Sequence, residues 1–170
     1  NEQTGGISAA LEVDEEREKS GRYSYCWPRD AVFVTKALDI LNMKEQTTKF
    51  YSKFCKETQS KSGMWEQRFY TDGRLAPCWG YQIDETASII YGTYQHYKET
   101  KDKEFLKQAY PMCKKAIDAL GTFLNASSVP FASKKNKIKE NMKNFLTHES
   151  YDLWEMHEGI HLYSMSAIYA

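Results

Sequence analysis

The chain has 170 residues, the size of one ordinary domain or of a piece of a larger one, and 41% of them are hydrophobic. No apolar run approaches the roughly 18 residues that a membrane-spanning helix needs, which excludes such a span. Lysine plus arginine and aspartate plus glutamate number 23 each, so the formal net charge of zero lacks the basic excess of a nucleic-acid-binding protein. We therefore expect neither a nucleic acid nor a membrane as a partner.

The four cysteines are widely spaced and include no C-x-x-C pair, so a zinc knuckle is not predicted. They are Cys26, Cys55, Cys78 and Cys113. In a chain of this length the spacing favours buried thiols over a disulfide framework. The chain begins at Asn1 with no visible signal peptide, although a cleaved one would leave no trace. The localisation stays open, with a cytoplasmic one favoured.

Apolar residues recur at helical spacing along most of the chain and predict an all-α fold. In chain order, the predicted apolar faces are Val34, Ala37, Leu38 and Leu41; Phe50, Tyr51, Phe54 and Cys55; Ala87, Ile90, Tyr91 and Tyr94; Leu106, Ala109, Tyr110 and Cys113, continuing into Ala116, Ile117, Leu120 and Leu124; Ile138, Met142, Phe145 and Leu146; and Ile160, Tyr163 and Ala167. Asp102 is the predicted N-cap of the fourth helix, and Pro111 is a predicted start or kink. Short connections predict that successive helices pack as antiparallel hairpins.

Three segments depart from this helical pattern. Met64 to Tyr70, followed by Asp72-Gly73, predicts a small β-hairpin inserted between two helices. The five lysines between residues 133 and 143 are interpreted as a solvated helix start rather than as a polyanion site. The last helical pattern still runs at Ala170 without a Gly, Asn or Pro stop. We therefore expect residues 1–170 to be a single domain that is an incomplete piece of a larger one.

The first of three aromatic and acidic clusters directly precedes the first predicted helix. Four of its side chains occur at every second position: Tyr23, Tyr25, Trp27 and Arg29. On an extended approach this alternation places hydroxyl groups, rings and a guanidinium on one side. Pro28 and Asp30 suit the first turn of a helix for structural reasons alone, whereas the alternating residues do not. We interpret this cluster as functional.

The second cluster, from Pro77 to Glu85, lies at the entrance of the third predicted helix. Asp84 or Glu85 is able to act simply as a helix cap. Trp79 stands beside a glycine in a loop, where a tryptophan has fewer packing reasons than in a core. A tryptophan that only fills a gap is an equally good interpretation, so the sequence leaves both open.

The third cluster, from Ser150 to Glu158, places carboxylates beside Trp and Leu. A poorly solvated carboxyl group has a pKa raised from about 4.3 toward ~6, where it serves as a general acid near neutral pH. An acid that accepts backbone N–H groups at a helix start would instead have a lowered pKa. The sequence does not distinguish these two environments.

The same region contains the H-E-x-x-H pattern of zinc proteases, from His157 to His161. A third ligand normally follows such a pattern, but the nine remaining residues contain no His, Glu, Asp or Cys. Gly159 also weakens the helix that the pattern requires. We therefore predict no metal site and no cofactor.

The three clusters in this order resemble those of the glucoamylase family, glycoside hydrolase family 15. The resemblance runs from about Gly5 to the end and is strongest at Tyr23–Asp30, Trp79–Asp84 and Tyr151–Glu155. It implies an (α/α)6 toroid of six helical hairpins with the active site in loops at one end. The helices predicted above amount to about half of that toroid.

The resemblance implies one catalytic residue in this chain, Glu155, as the general acid. The residues that match substrate-binding positions of the family are Tyr23, Trp27, Arg29, Asp30, Trp79, Asp84 and Trp154. Among them, Arg29 and Asp30 match the pair that hydrogen-bonds the non-reducing-end glucose, and Tyr23 matches a tyrosine that helps to place the attacking water. Met156 departs from the second Glu that many members carry.

The function implied by the resemblance is cleavage of α-glucosidic bonds from chain ends, with release of glucose and inversion. The expected partner is therefore an α-glucoside or oligosaccharide substrate. The general base of the family lies beyond Ala170, so we expect the isolated chain to be inactive. We also expect it to self-associate through the faces Val34–Leu41 and Ala87–Tyr94. The alternative is a non-catalytic sugar-binding or regulatory module with the same architecture.

Overall fold

A computed structural model describes residues 1–11, 23–78, 82–124 and 150–170. Its α-helices are α1 (Pro28–Ile40), α2 (Lys44–Lys49), α3 (Lys56–Thr58), α4 (Ile83–Thr100), α5 (Lys103–Leu124) and α6 (Leu162–Tyr169). A π-helical stretch, Phe50–Cys55, joins α2 to α3. The antiparallel strands β1 (Ser150–Tyr151) and β2 (Glu158–Gly159) precede α6. The prediction of an all-α fold with a small β-hairpin is confirmed.

Helix α1 packs against α4 through a face that differs from the predicted one. Its buried side chains beyond the first turn are Ala31, Val32, Thr35 and Asp39. The predicted face is exposed apart from the half-buried Leu38, so the packing prediction for Val34, Ala37, Leu38 and Leu41 is wrong. Thr35 and Asp39 are buried because they hydrogen-bond to Tyr51 and His96. A prediction based on the spacing of apolar residues does not detect such buried polar pairs.

Helix α4 approaches α1 closely at Gly92. A Cβ at this position would lie 2.1 Å from the Tyr51 hydroxyl oxygen and 2.9 Å from Val32 Cγ1. No side chain fits at that distance, so glycine is what allows the two helices to lie so close. On α4 the predicted face is wrong in part, because Tyr91 and Tyr94 are exposed.

The π-helical stretch contributes the centre of the main core. All four residues of its predicted face are buried there, which confirms that prediction: Phe50, Tyr51, Phe54 and Cys55. The buried Trp65 packs in the same core and donates its indole N–H to the Cys55 carbonyl oxygen at 2.9 Å. The loop after α3 is thereby fixed against the helices.

Helix α5 is a single element that continues through Pro111. The predicted N-cap is confirmed, since Asp102 Oδ1 accepts the backbone N–H groups of Glu104 and Phe105 at 2.9 and 3.0 Å. Pro111 lies inside the helix, so the prediction that it could start a helix is wrong. No helix in the parts of the chain that the structure describes is long and apolar enough to cross a membrane.

The predicted β-hairpin near residues 64–73 is present as a turn, but the two-stranded sheet lies elsewhere. Gly73, with a φ of 93°, donates its N–H to the Tyr70 carbonyl oxygen at 2.9 Å. Phe69 forms only isolated antiparallel bridges, one to Leu75 and one to Cys26. The bridge to Cys26 fixes this loop beside the segment that leads into α1.

Some predictions fall outside the described residues. They concern the helix face of Ile138, Met142, Phe145 and Leu146, the lysine-rich segment 133–143, and Trp79. The cysteine prediction is confirmed, because all four thiols are free and those of Cys26 and Cys55 are buried. Burial raises the pKa of the Cys26 thiol to about 12.

Candidate active site

Aromatic and charged side chains surround a cavity of about 410 Å³ beside the N-terminus of α1. Its lining residues are Tyr23, Trp27, Arg29, Asp30, Arg68, Leu153, Trp154 and Glu155. Six of the eight site residues predicted from the sequence belong to this set. The fold therefore brings the first and third sequence clusters together, although Trp27 and Glu155 are 128 positions apart.

The bridge between Cys26 and Phe69 sets the register on one wall of this cavity. Each residue donates its N–H to the carbonyl oxygen of the other, at 2.8 and 2.9 Å. In an antiparallel pair the next residues face each other, so Trp27 lies opposite Arg68. The Arg68 guanidinium carbon is 5.3 Å from the centre of the Trp27 ring. Arg68 thus reaches the cavity through pairing over a distance of about 40 residues.

The β1–β2 hairpin presents Glu155 from the opposite side. Asp152 stabilises its tip, because its Oδ1 accepts the backbone N–H groups of Met156 and His157 at 2.8 and 2.9 Å. These bonds lower the pKa of Asp152. Glu155 itself has a φ of 61°, a left-handed conformation that is unusual for a residue with a side chain. Gln82 at the start of α4 donates to the Asp152 carbonyl oxygen at 2.7 Å and ties the hairpin to the helices.

The carboxyl group of Glu155 is held by two contacts. Trp27 donates its indole N–H to Oε1 at 2.8 Å. Arg68 Nη1 lies 3.8 Å from Oε2, a distance for charge attraction rather than for a hydrogen bond. The Glu155 side chain is 18% exposed, so it is mostly shielded from water yet borders the cavity.

Arg29 lies at the base of the cavity, where it joins α1 to α4. Its Nη1 donates to Asp84 Oδ2 at 2.7 Å and to Gln82 Oε1 at 3.2 Å. The same nitrogen is 3.2 Å from Glu85 Oε1, and Glu85 Oε2 accepts the backbone N–H of Arg29 at 2.6 Å. Asp30 completes the cluster, with its Oδ2 3.6 Å from Arg29 Nε.

The electrostatics of this cluster are dominated by carboxylates. Burial opposes the charged form of Arg29, but Glu85 and Asp84 outweigh it and raise the Arg29 pKa. Burial raises the pKa of Glu85 well above its usual range, and the attraction of Arg29 offsets only part of this. Burial likewise raises the pKa of Asp30, against the lowering effect of Arg29. One guanidinium therefore faces more carboxyl groups than it neutralises.

Of the predicted site residues that the structure describes, one does not line the cavity. Asp84 is fully buried behind Arg29, so its contact is with the guanidinium. The alternative that Asp84 or Glu85 caps α4 is not what the structure shows, since Gln82 is the N-cap residue and both carboxylates contact Arg29. Trp79 lies outside the described residues. Trp154 lines the cavity and is 75% exposed, so its ring is available to a ligand.

Arg68 and Leu153 line the cavity but were not singled out from the sequence. Leu153 was visible only as the apolar neighbour of a carboxylate. Arg68 lies in a segment interpreted as a turn, and the pairing that brings it to the cavity is not encoded in local periodicity. Its position between Trp65 and the aromatic pair Phe69-Tyr70 is the one signal that could have drawn attention to it.

The H-E-x-x-H pattern does not form the helical turn that a zinc site of this kind requires. Glu158 and Gly159 form strand β2, and His161 precedes α6. The His161 ring nitrogen Nε2 lies 3.2 Å from the His157 carbonyl oxygen instead of pointing to a shared metal position. Within the residues that the structure describes, no cluster of three potential metal ligands is present.

Fold and site together define an all-α protein with an aromatic cavity that contains a shielded carboxyl group. The chain is 28% identical over 168 residues to a protein of Methanocaldococcus jannaschii named as an uncharacterized glycosyl hydrolase. The alignment covers 98% of this chain and 22% of the relative, so the chain spans about a fifth of the relative's length. No family model and no solved structure matches the chain. The similarity supports a relation to glycosyl hydrolases.

Proposed function

We propose that this chain forms the acid-bearing part of a glycoside hydrolase that resembles family 15. The parent protein would cleave α-glucosidic bonds from chain ends and release glucose with inversion. The observation that carries this proposal is the carboxyl group of Glu155, held by Trp27 at the wall of a cavity that Arg29 and Asp30 also line. The name of the archaeal relative supports the hydrolase class, and the finer specificity comes from the sequence resemblance.

The proposed chemistry divides the work between an acid and a base. In inverting hydrolysis one carboxylic acid protonates the leaving oxygen while a carboxylate ~6.5–9.5 Å away activates a water. Glu155 supplies the proton, and Arg29 with Asp30 binds the hydroxyl groups of the terminal glucose. Tyr23 helps to place the water, and the exposed ring of Trp154 stacks on the sugar. The base is proposed to come from the remainder of the parent protein.

The test is a Glu155→Gln substitution in the full parent protein. Glutamine keeps the shape and the acceptor for Trp27 but carries no transferable proton. We expect kcat on maltose to fall ~10²–10⁴-fold, because that is the usual contribution of general acid catalysis. The KM value should change little, since substrate contacts remain.

A Glu158→Gln variant is the matched control. Glu158 is an exposed glutamate in β2, three positions from Glu155 and absent from the cavity lining. Its kcat on maltose should stay close to that of the unmodified parent. Full activity of the Glu155→Gln parent would overturn the proposed function.

A non-catalytic sugar-binding module is the second candidate. It is favoured by the fact that Asp30, the other carboxylate in the described lining, is already paired with Arg29. Such a module would show saturable quenching of tryptophan fluorescence by glucose or an amino-sugar inhibitor, with no turnover by the parent. A response that survives the double substitution Trp79→Ala and Asp30→Ala would remove these residues from the site.

A further inference from the structure

Arg68 stands behind the proposed acid, and neither the resemblance nor the proposed mechanism gives it a role. Its side chain is 5% exposed. The guanidinium carbon lies 5.1 Å from the centre of the Tyr25 ring and 5.3 Å from that of Trp27. Its Nε donates to the Pro77 carbonyl oxygen. These contacts hold the buried guanidinium beside the two rings.

The two rings and the arginine form one packed unit with the acid. Tyr25 and Trp27 meet edge to face, with ring centres 5.9 Å apart. Arg68 contacts both rings, and cation–π attraction is strong where water is excluded. The Trp27 ring that Arg68 holds is the ring whose N–H binds Glu155 Oε1. Arg68 therefore packs on the ring that carries the indole donor.

The contacts of Arg68 also reach Glu155 directly. Nη1 lies 3.8 Å from Oε2, while Oε1 accepts the indole N–H. The carboxyl group is thus fixed at one oxygen by a hydrogen bond and attracted at the other by charge. This restraint acts on a residue at a hairpin tip with a φ of 61°, in the left-handed region that is uncommon for a residue with a side chain.

We propose that Arg68 is a positioning residue for Glu155, a role that rests on the proposed function. By holding the Trp27 indole and attracting Oε2, it keeps the carboxyl group directed at the cavity wall.

Other ionisable residues near Glu155 are retained when only position 68 is substituted. They are Tyr23, Arg29 and Asp30 in the cavity lining, and Asp152 and His157 in the hairpin. Tyr163 of α6 faces the Arg29 cluster from behind, where burial and Asp84 raise its pKa. The titration seen at Trp27 is assigned to Glu155, and not to one of these groups, by its loss in Glu155→Gln.

The experiment follows the indole N–H signal of Trp27 by NMR during a pH titration of the 170-residue chain with ¹⁵N-labelled tryptophan. This signal reports the ionisation of Glu155 because the two groups share a hydrogen bond of 2.8 Å. Glu155→Gln should abolish the titration and so identifies it. In Arg68→Gln we expect the midpoint to move to higher pH, because the carboxylate has lost its positive neighbour. Arg68→Lys, which keeps the charge, should move it less.

Arg74→Gln is the matched control. Arg74 also stacks on a tyrosine, with its guanidinium carbon 5.0 Å from the Tyr70 ring centre, but it is exposed and pairs with Asp72. Its removal should leave the Trp27 midpoint unchanged. An unchanged midpoint in a folded Arg68→Gln chain would overturn the positioning role.

A second measurement keeps the proposal testable if Arg68→Gln does not fold. In the unmodified chain the Arg68 Nε–H signal should titrate with the same midpoint as the Trp27 indole and lose that titration in Glu155→Gln. Two independent midpoints would overturn the coupling between Arg68 and Glu155.

Activity supplies a separate readout in the parent protein. Arg68→Gln should lower kcat/KM about 100-fold, the order expected when a reacting group is misplaced by ~1 Å. The alkaline limb of the kcat/KM profile should move to higher pH, which a purely structural role would not produce. A fully active Glu155→Gln parent would overturn the proposed function, whereas the NMR measurement would still test whether Arg68 positions Glu155. Failure of the proposed function and failure of the positioning role are therefore distinguishable.

Discussion

Two buried polar networks join the helices of this protein, and they differ in how completely their charges are paired. The first links His96 of α4 to Asp39 of α1 and Thr48 of α2. Its imidazole Nδ1 lies 2.9 Å from both Asp39 oxygens, and Nε2 lies 2.8 Å from the Thr48 hydroxyl oxygen. Each ring nitrogen and both carboxylate oxygens therefore have a partner.

The second network surrounds Arg29 at the base of the cavity and is not closed in this way. The single guanidinium faces Asp84 and Glu85, both fully buried, as well as Asp30. Among the described residues, Asp84 Oδ1 and Glu85 Oε1 have no hydrogen-bond partner. The Glu85 oxygen lies at ion-pair distance from Arg29, but without the angle of a hydrogen bond.

This difference separates a structural network from a site. A closed pair stabilises the fold, whereas unmatched buried carboxylates cost free energy of folding. Local rules are broken mainly where function requires it, and the unmatched charge lies directly beneath the cavity that contains Glu155. The closed network lies at the Asp39 end of α1, and the unmatched carboxylates lie at its Arg29 end, beneath the cavity.

The largest expected effect comes from breaking the Arg29 network. Arg29→Met would leave two buried carboxyl groups without their cation, and removal of one partner of a buried ion pair typically costs about 3–5 kcal/mol. We expect the free energy of unfolding of the 170-residue chain to fall by that order in urea denaturation. A loss below about 1 kcal/mol, the range of exposed ion pairs, would mean that the cluster is solvated.

Breaking the closed network should cost less. Asp39→Asn keeps the size and some of the hydrogen-bonding capacity of the side chain but removes its charge from His96. We expect a loss of about 1–3 kcal/mol in the free energy of unfolding, measured in the same way. Asp118→Asn is the control, because its pair with Lys114 is exposed and should contribute little to the free energy of unfolding. Equal losses in the two variants would contradict the structural role of the His96 network.

The surplus charge at Glu85 predicts a dependence of stability on pH. Because burial raises the folded-state pKa of Glu85 above its usual 4.5, the folded chain binds more protons than the unfolded chain between these two values. Its contribution to stability is therefore complete below pH 4.5 and is lost as the pH rises through the folded pKa. We expect Glu85→Gln to remove this decline in urea denaturation at successive pH values. An identical decline in both proteins would assign it to another group.

The smallest effect on stability is expected at the exposed face of α1. Ile40 is 76% exposed and Leu41 is 69% exposed, so replacing both with serine should change the free energy of unfolding by no more than about 0.5 kcal/mol each. The same change should reduce self-association of the isolated chain in sedimentation, because it removes an apolar patch. Concentration-independent monomers before and after the change would refute the predicted self-association.

The sequence predicted the helices and the members of the cavity better than it predicted the packed faces. Of the predicted alternation, Tyr23, Trp27 and Arg29 line the cavity, whereas Tyr25 does not, and Arg29 already belongs to α1. The face of α1 was mispredicted because Thr35 and Asp39 are buried through partners on other helices. Such partners are properties of the tertiary structure.

The role of Arg68 shows the same limit. Its place beside Glu155 depends on the long-range bridge between Cys26 and Phe69 and on the hairpin that carries Glu155. Neither pairing has a local signature that periodicity detects. Residues that act through such pairings are found only once the fold is known.

The most direct test of Glu155 as the general acid compares two substrates in the parent protein. Maltose needs a proton on its leaving oxygen, whereas the fluoride of α-glucosyl fluoride leaves without one. We expect Glu155→Gln to lower kcat on maltose ~10²–10⁴-fold while the loss on the fluoride is much smaller. Equal losses on both substrates, or full activity on maltose, would contradict the assignment.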